Sequence, residues 1–343
     1  MALAPSSLSS GDLLADRRFE YARLLETDGD FAAAADLYAQ ALEIAPGWAA
    51  CLFALASAQA KAGNATAARE AFETLLALDP EDHFGASLQL SLIGDEPAPD
   101  IAPPAYVRAL FDDYADRFEA SLVEALQYRA PKLIGAAIER VRHGKIFAHA
   151  LDLGCGTGLM AEALSERVGH MEGVDLSPDM VAAARAKGLY AALREGDVVD
   201  DLSRAGEAYD LVTAADVFVY MGDLAAVFAA VSGRLVPGGL FAFSVELSEG
   251  EDWVLRPSLR YAHAPEYLGR LALAHGFLIR SMEPADLRLD RGEPVRGLVC
   301  VLEMPRAAHS VEIALPARMP EVAAMPAAEA VVLADAEGLP LPG

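Results

Sequence analysis

Two kinds of hydrophobic periodicity divide this chain. From 12 to 93 the apolar positions recur at helical spacing, whereas from 106 to 304 short apolar runs alternate with amphipathic stretches. The first pattern predicts helices over 12–27, 31–44, 48–61 and 65–78, with a further capping helix over 82–93. The second pattern is typical of an α/β sheet with helices on both faces.

The stretches outside these patterns predict the domain boundaries. Residues 94–105 contain four prolines and three acids, which is typical of a linker. Residues 305–343 are rich in alanine and proline without sustained periodicity, and we expect a largely disordered tail. The sequence thus predicts a helical arm over 1–93, a linker, a sheet domain over 106–304 and a tail.

An internal repeat supports the helical arm. Four residues, Gly29, Ala34, Tyr38 and Pro46, recur 34 residues later as Gly63, Ala68, Phe72 and Pro80. This period is that of the tetratricopeptide repeat, in which two helices form one unit. The glycines close the turn, the alanines allow close helix crossing, the aromatic rings fill the space between layers, and the prolines stop the second helix.

Seven strands are predicted in the sheet domain. They cover 148–153, 170–175, 189–194, 209–214, 239–246, 277–283 and 296–303. The polar stretch 284–295 between the last two contains no plausible helix, so we expect these two strands to pair antiparallel at one edge.

Charge and cysteine content narrow the function classes. The chain carries 27 Lys and Arg against 51 Asp and Glu, a net charge of −24, and no basic run. Phosphate backbones and anionic lipid are repelled by such a chain, so we expect no nucleic acid or membrane partner. The three cysteines do not have the spacing of metal ligands. No apolar run is long enough for a transmembrane helix, and the first residues do not show the pattern of a signal peptide. We therefore expect a cytoplasmic protein without a metal site.

The motif LDLGCGTGLM at 151–160 carries the sharpest chemical signal. An apolar strand runs into Gly154, Gly156 and Gly158, and a helix follows. Glycines allow tight turning and close approach of a ligand, and a helix N-terminus offers free N–H groups. The dinucleotide fingerprint requires a glycine where Leu159 stands, and no Lys-Ser/Thr follows as in a P-loop.

Acidic residues follow the next two predicted strands. Asp175 ends the second strand, 21 residues after Gly154, where a carboxylate can accept hydrogen bonds from both hydroxyls of a ribose. Asp197 follows the third strand. Because carboxyl ends of parallel strands share one edge of a sheet, these acids and the glycine loop predict one cleft.

These motifs resemble the class I S-adenosylmethionine-dependent methyltransferases over residues 106–304. With its repeats the chain is similar to the bacterial tetratricopeptide-repeat methyltransferases, and the segment AYVRALFDDYADRFEASL at 105–122 belongs to that likeness. The resemblance implies an α/β fold: a seven-stranded Rossmann-like sheet of order 3-2-1-4-5-7-6, with strand 7 antiparallel, behind an all-α arm.

The resemblance also implies roles for individual residues toward S-adenosylmethionine. Gly154, Gly156 and Gly158 would line its methionine half, and Asp152 would reach the amino group directly or through water. Asp175 would hold the ribose, and Asp197 with Val198 would read the adenine edge. Ala214 and Ala215 would border the methionine end and the acceptor, and Tyr114, with Tyr106, would contact the cofactor.

Methyl transfer from a sulfonium needs no metal and no nucleophilic dyad, but a nitrogen or oxygen acceptor can require a base. The candidates are Asp216 and Tyr220, four residues apart after the fourth strand, and His263 in the insertion between the fifth and sixth strands. An ordinary role for His263 is to flank a helix over 265–275.

The sequence favours an enzyme that methylates nitrogen or oxygen of a small molecule or biosynthetic intermediate. A protein methyltransferase that recruits its substrate through the arm is a second interpretation. A third is a repeat adaptor whose sheet domain binds cofactor without catalysis, which the intact glycine loop and cleft acids disfavour. The absence of a (D/N)PP(Y/F) motif, where the chain has AADV, argues against adenine, cytosine and glutamine N-methylation.

Overall fold

Five helices form the N-terminal arm in the computed structural model, which describes residues 9–94, 97–112, 127–204, 206–250, 252–290 and 292–306. They are α1 (Leu13–Thr27), α2 (Phe31–Ile44), α3 (Ala49–Lys61), α4 (Ala65–Leu78) and α5 (Ala86–Ile93). Gly29 and Gly63 adopt φ angles of +82° and +83° in the turns between paired helices, a conformation that favours glycine. The fifth helix begins later than predicted, after Gly85 in the left-handed conformation, and the Asp82 carboxylate accepts hydrogen bonds from the first helical N–H groups, those of Ala86 and Ser87.

The repeated residues form the core of the arm. Ala34, Ala68, Tyr38 and Phe72 are all fully buried. Small alanines at the helix crossings and aromatic rings between the layers therefore occupy the positions that the 34-residue period predicts.

The sheet domain contains a single mixed sheet within the described residues. Its strands are β1 (Phe147–Leu153), β2 (Val168–Asp175), β3 (Ala192–Glu195), β4 (Tyr209–Ala214), β5 (Leu235–Leu247), β6 (Trp253–Leu255), β7 (Tyr261–His263), β8 (Leu278–Asp290) and β9 (Glu293–Glu303). The main order is β3-β2-β1-β4-β5-β9-β8, and only β9 in this series runs antiparallel to its neighbours. The predicted fold class and the antiparallel edge pair are confirmed.

Two differences from the predicted strands have local causes. The third strand begins at Ala192 because the preceding helix ends at Gly188 in the left-handed conformation, with φ of +67°, and the chain then crosses to the sheet. The insertion after β5 forms the short strands β6 and β7, and β7 pairs with the last two residues of β5.

Helices cover both faces of the sheet. They are α6 (Pro104–Asp112), α7 (Ala130–Val141), α8 (Leu159–Leu164), α9 (Pro178–Lys187), α10 (Val198–Ser203), α11 (Ala225–Arg234) and α12 (Pro265–Ala274). Alternate residues of β5 enter opposite cores, with Phe241 and Phe243 on one face and Leu240 and Ala242 on the other. The carboxyl ends of the central strands are left to form a site.

The proline-rich segment before α6 is joined to the sheet domain by backbone hydrogen bonds. The N–H of Ala102 donates to the carbonyl of Tyr220 at 2.9 Å, and the N–H of Gly222 donates to the carbonyl of Asp100 at 2.7 Å. Leu88 of the arm and Tyr261 of β7 are buried in the same apolar cluster as Tyr220. The segment predicted as a linker thus lies against the loop that follows β4.

Two predictions fall largely outside the described residues. The segment 105–122, from which Tyr114 is expected to contact the cofactor, is described only to Asp112, and most of the tail, 307–343, is not described. In the described ranges no helix is both long enough and apolar enough to cross a membrane.

Candidate functional site

A solvent-connected cleft of about 1020 Å³ lies at the carboxyl ends of β1, β2 and β4. Gly154, Gly156 and Asp175 line one part of it, and Asp216 and Tyr220 line another. The structure therefore brings together residues that the sequence predicts separately for a cofactor and for an acceptor.

The glycine loop forms the floor of the cleft. Gly154 and Gly156 have φ angles of +61° and +51°, so both occupy the left-handed region that favours glycine. A Cβ atom on Gly154 would lie 2.5 Å from Cγ2 of Val217, whereas a Cβ atom on Gly156 would meet nothing within 4 Å. Gly154 thus permits close packing of the wall, and Gly156 leaves open space above the loop.

Gly158 has a different position. It precedes α8 with a φ of +96°, and a Cβ atom there would lie 3.2 Å from the ring of Tyr190. It does not line the cleft, so its requirement for glycine comes from helix entry and packing.

Asp175 joins the end of β2 to the glycine loop. Its carboxylate accepts hydrogen bonds from the N–H groups of Gly156 at 2.8 Å and Ser177 at 2.9 Å. The side chain is nearly buried, and burial raises the pKa of Asp175 above its ordinary value. It lines the cleft where the sequence places a ribose-binding acid.

Asp197 and Val198 line the cleft beyond the third strand. Asp197 is the N-cap of α10, and its carboxylate accepts hydrogen bonds from the N–H groups of Val199 at 2.8 Å and Asp200 at 3.1 Å. These bonds fix the turn, so that both residues face the same space as Asp175.

Asp152 lies behind the cleft and is not part of its wall. It is 1% exposed and accepts hydrogen bonds from the hydroxyls of Tyr190 at 2.7 Å and Thr213 at 2.8 Å. Burial outweighs these bonds and raises the pKa of Asp152 to about 7. Ala214, at the end of β4, is also fully buried, while the next residue, Ala215, lines the cleft.

Asp216 belongs to a buried charge network that the sequence does not reveal. It has a φ of +61°, which is unusual for a residue other than glycine, and its N–H donates to the hydroxyl of Ser244 at 3.0 Å. Arg288 of β8, only 2% exposed, donates to both carboxylate oxygens of Asp216, at 2.9 Å and 2.6 Å, and also to Glu246. No sequence signal connects these residues, because Arg288 lies 72 positions from Asp216.

Tyr220 ends a short 3-10 helix, Phe218–Tyr220, and lines the cleft. Its hydroxyl is hydrogen-bonded to Arg260, a second arginine, which belongs to no sequence motif. Burial raises the pKa of Tyr220, so the hydroxyl keeps its proton at neutral pH. The ring of Phe111, from α6, meets the Tyr220 ring edge-on with centroids 5.6 Å apart.

His263 does not reach the cleft. It lies in β7, fully buried, and its Nε2 lies 2.9 Å and 3.0 Å from the carbonyl oxygens of Met221 and Gly222. Burial lowers the pKa of His263 to about 4, so the ring is neutral and Nε2 donates to these carbonyls. The histidine holds the loop that carries Tyr220.

Among the expected aromatic contacts, Tyr114 lies outside the described residues, and Tyr106 is buried in the cluster that includes Leu88 of the arm. Phe111 and Tyr128 line the cleft instead. Sequence reasoning missed Tyr128, because it precedes α7 and belongs to no motif.

Two parts of this chain match known protein families. Residues 150–239 match the family described as a methyltransferase domain, and residues 25–90 match the tetratricopeptide repeat. The predicted combination of a methyltransferase domain with N-terminal repeats is confirmed.

Individual relatives match only part of their length. A ubiquinone biosynthesis O-methyltransferase of Xylella fastidiosa is 32% identical over 96 residues, covering 27% of this chain and 39% of that protein. A biotin biosynthesis bifunctional protein of Bordetella avium is 33% identical over 180 residues, covering 48% of this chain and 36% of that protein. The solved magnesium protoporphyrin IX methyltransferase of Synechocystis with bound SAH is 17% identical, with a TM-score of 0.46, covering 60% of this chain and 99% of that chain.

Proposed function

We propose that this chain, which carries a methyltransferase domain behind tetratricopeptide repeats, transfers a methyl group from S-adenosylmethionine to a small-molecule acceptor. The observation that carries the proposal is the cleft itself. Its floor is a glycine loop with open space at Gly156, and its wall contains the carboxylates of Asp175 and Asp197. These features suit a nucleoside cofactor that lies against the backbone.

Residues at the ends of successive strands fit the successive parts of such a cofactor. In this proposal Asp175 holds the ribose hydroxyls, Asp197 and Val198 bind the adenine edge, and Gly154 and Gly156 border the methionine half. Asp152 acts from behind the loop and orients it through Tyr190, which packs beneath Gly158.

The walls of the cleft favour methyl transfer by excluding water. The bound cofactor supplies a methyl group on a positively charged sulfur. Ala215, Val217 and Phe111 line the cleft with apolar atoms. A dry environment favours a reaction in which charge disappears, and fixed walls align the acceptor with the methyl group.

Asp216 and Tyr220 form the acceptor end of the cleft in this proposal. Arg288 holds Asp216 by both oxygens, which fixes the direction of its carboxylate. The Tyr220 hydroxyl keeps its proton and can donate a hydrogen bond to an acceptor oxygen or nitrogen. The names of the O-methyltransferase relatives favour oxygen as the acceptor atom.

Substitutions at these two positions test their role. If either side chain exchanges a proton with the acceptor, Asp216→Asn or Tyr220→Phe lowers turnover by about 10²–10⁴-fold and leaves cofactor affinity unchanged. Tyr209→Phe is a matched control, because Tyr209 begins β4 and donates to Glu172, away from the cleft. Full turnover in both variants would contradict a catalytic role for these side chains.

The activity itself is tested with S-adenosylmethionine that carries a labelled methyl group. The purified chain is incubated with a small-molecule extract and, separately, with a protein lysate, and the labelled product is identified. Label in a small molecule supports the proposal. Label only in protein would favour the alternative in which the arm recruits a protein substrate, and no label in either fraction would contradict methyl transfer.

A further inference from the structure

Arg260 lies between the cofactor cleft and a second, polar cavity of about 1240 Å³. It ends the turn that joins β6 to β7, where the N–H of Arg256 donates to the Arg260 carbonyl at 2.9 Å. Its side chain lines both cavities and is half-buried. A guanidinium in this position can contact a ligand that extends from one cavity into the other.

The nearby carboxylates are bound by other arginines. Glu246 is 3% exposed and pairs with Arg256 at 3.1 Å and with Arg288, which also pairs with Asp216. Within the described part of the chain, Arg260 forms no ion pair of its own. Its side chain contacts the neutral hydroxyl of Tyr220 and interacts electrostatically with Asp216 and Glu246.

Asp216 and Glu246, the two carboxylates that act on Arg260, are therefore already paired with Arg256 and Arg288. The two carboxylates Asp216 and Glu246 face the three guanidinium groups of Arg256, Arg260 and Arg288. A planar carboxylate matches the forked donors of a guanidinium, and a doubly charged phosphate would meet stronger repulsion from Asp216 and Glu246.

We propose that Arg260 binds a carboxylate group of the methyl acceptor, so that the enzyme selects acceptors that carry one negative charge beside the methylated atom. This inference rests on the proposed function. The Tyr220 hydroxyl lies beside Arg260, so the two side chains hold the acceptor at adjacent points. In a chain with a net charge of −24, a local cation offsets the long-range repulsion of an anionic acceptor.

Calorimetric titration with three small probes tests the proposal. Benzoate, benzamide and phenyl phosphate are titrated into the full chain saturated with S-adenosylhomocysteine, and again without it. We expect wild type to bind benzoate at least about tenfold more tightly than benzamide, since a charged hydrogen-bonded pair replaces a neutral contact. Arg260→Gln should lose this preference and keep its affinity for S-adenosylhomocysteine.

Arg296→Gln is the matched control, because Arg296 lines the second cavity from an exposed position and is expected to keep the benzoate preference. If Arg260→Gln does not fold, Arg260→Lys decides, because an ammonium cannot pair with both carboxylate oxygens and should weaken the preference. The proposal would be overturned if the benzoate preference survives in the folded Arg260→Gln variant or stays unchanged in Arg260→Lys. It would also be overturned if Arg296→Gln loses the preference equally, or if wild type shows no preference. Tighter binding of phenyl phosphate would contradict the carboxylate assignment. Failure to bind S-adenosylhomocysteine would instead contradict the proposed function.

Discussion

Replacing Asp152 by asparagine is expected to change how the stability of the protein depends on pH. Burial raises the pKa of Asp152 from its ordinary value of 3.8 to about 7 in the folded protein. Below about pH 4 the carboxyl is protonated in both the folded and the unfolded chain, so this effect costs no stability. As the pH rises toward 7, the unfolded chain releases a proton that the folded chain keeps, and stability falls.

The size of this effect follows from the two pKa values. The difference of about three pH units, at about 1.4 kcal/mol per unit, corresponds to about 4 kcal/mol between pH 4 and 7. His263 acts in the opposite direction, because burial lowers its pKa from 6.5 to about 4 and stability is lost as the pH falls through that interval. The two effects partly cancel in wild type, so the difference between variant and wild type is the informative quantity.

Urea unfolding followed by circular dichroism measures this difference. A range of pH 5.5 to 8 stays above the isoelectric point of about 4.6, where solubility is lowest. The free energy of unfolding of Asp152→Asn minus that of wild type should rise by about 2 kcal/mol between pH 5.5 and 7 and then level off. Thr213→Val removes a hydrogen bond to the same carboxyl group but leaves the acid in place, so wild-type pH dependence should persist. A difference for Asp152→Asn that is constant over this range would refute the reasoning.

Two further predictions concern the glycine loop and the arm. Gly156→Ala should fold at a cost of about 1–2 kcal/mol from its positive φ and bind S-adenosylhomocysteine at least about tenfold more weakly, whereas Gly154→Ala should cost more stability because its Cβ meets Val217. Calorimetry measures the affinity and urea unfolding measures the stability; unchanged affinity in Gly156→Ala would contradict cofactor binding in the open space above Gly156. Leu88→Ala and Leu75→Ala should each destabilise the protein by about 2–5 kcal/mol. Only Leu88→Ala should lower turnover at saturating cofactor, because Leu88 packs in the cluster with Tyr220, and equal turnover in the two variants would contradict coupling between the arm and the acceptor site.

The sequence predicts those parts of the site that lie in short, continuous motifs. Gly154, Gly156 and Asp175 are recognisable because the turn chemistry and the strand-end acid occur within 22 residues. Arg260 and Arg288 are not recognisable, because a turn in the insertion brings Arg260 to the cleft and the edge strand brings Arg288 to Asp216. Their approach depends on pairing between distant strands, which no local pattern encodes.

Two other residues illustrate the limits of position in sequence. Asp152 belongs to the glycine motif, yet its side chain leaves β1 toward Thr213 and Tyr190 and away from the cleft. His263 belongs to the insertion above the acceptor, yet its ring turns to backbone carbonyls of the loop after β4. In each case the face from which a side chain leaves its strand decides its role, and that face follows from the register of the sheet.

The proline-rich segment before α6 shows a similar limit. Its composition is typical of a linker, but composition does not encode the hydrogen bonds that Asp100 and Ala102 make with the loop after β4. Extended backbone next to prolines is available for such pairing, and the pairing places Ile101 and Ala102 in the wall of the cleft.

Cofactor affinity with and without Asp175 tests the central claim most directly. Calorimetry is performed with S-adenosylhomocysteine and with NAD on wild type, on Asp175→Ala, and on Asp200→Ala as a control at an exposed acid of α10. We predict that wild type binds S-adenosylhomocysteine and does not bind NAD. Asp175→Ala should bind S-adenosylhomocysteine about ten- to a hundredfold more weakly, because a charged hydrogen-bond acceptor is lost, and Asp200→Ala should match wild type. Tight binding of NAD, or unchanged affinity in Asp175→Ala, would contradict the account.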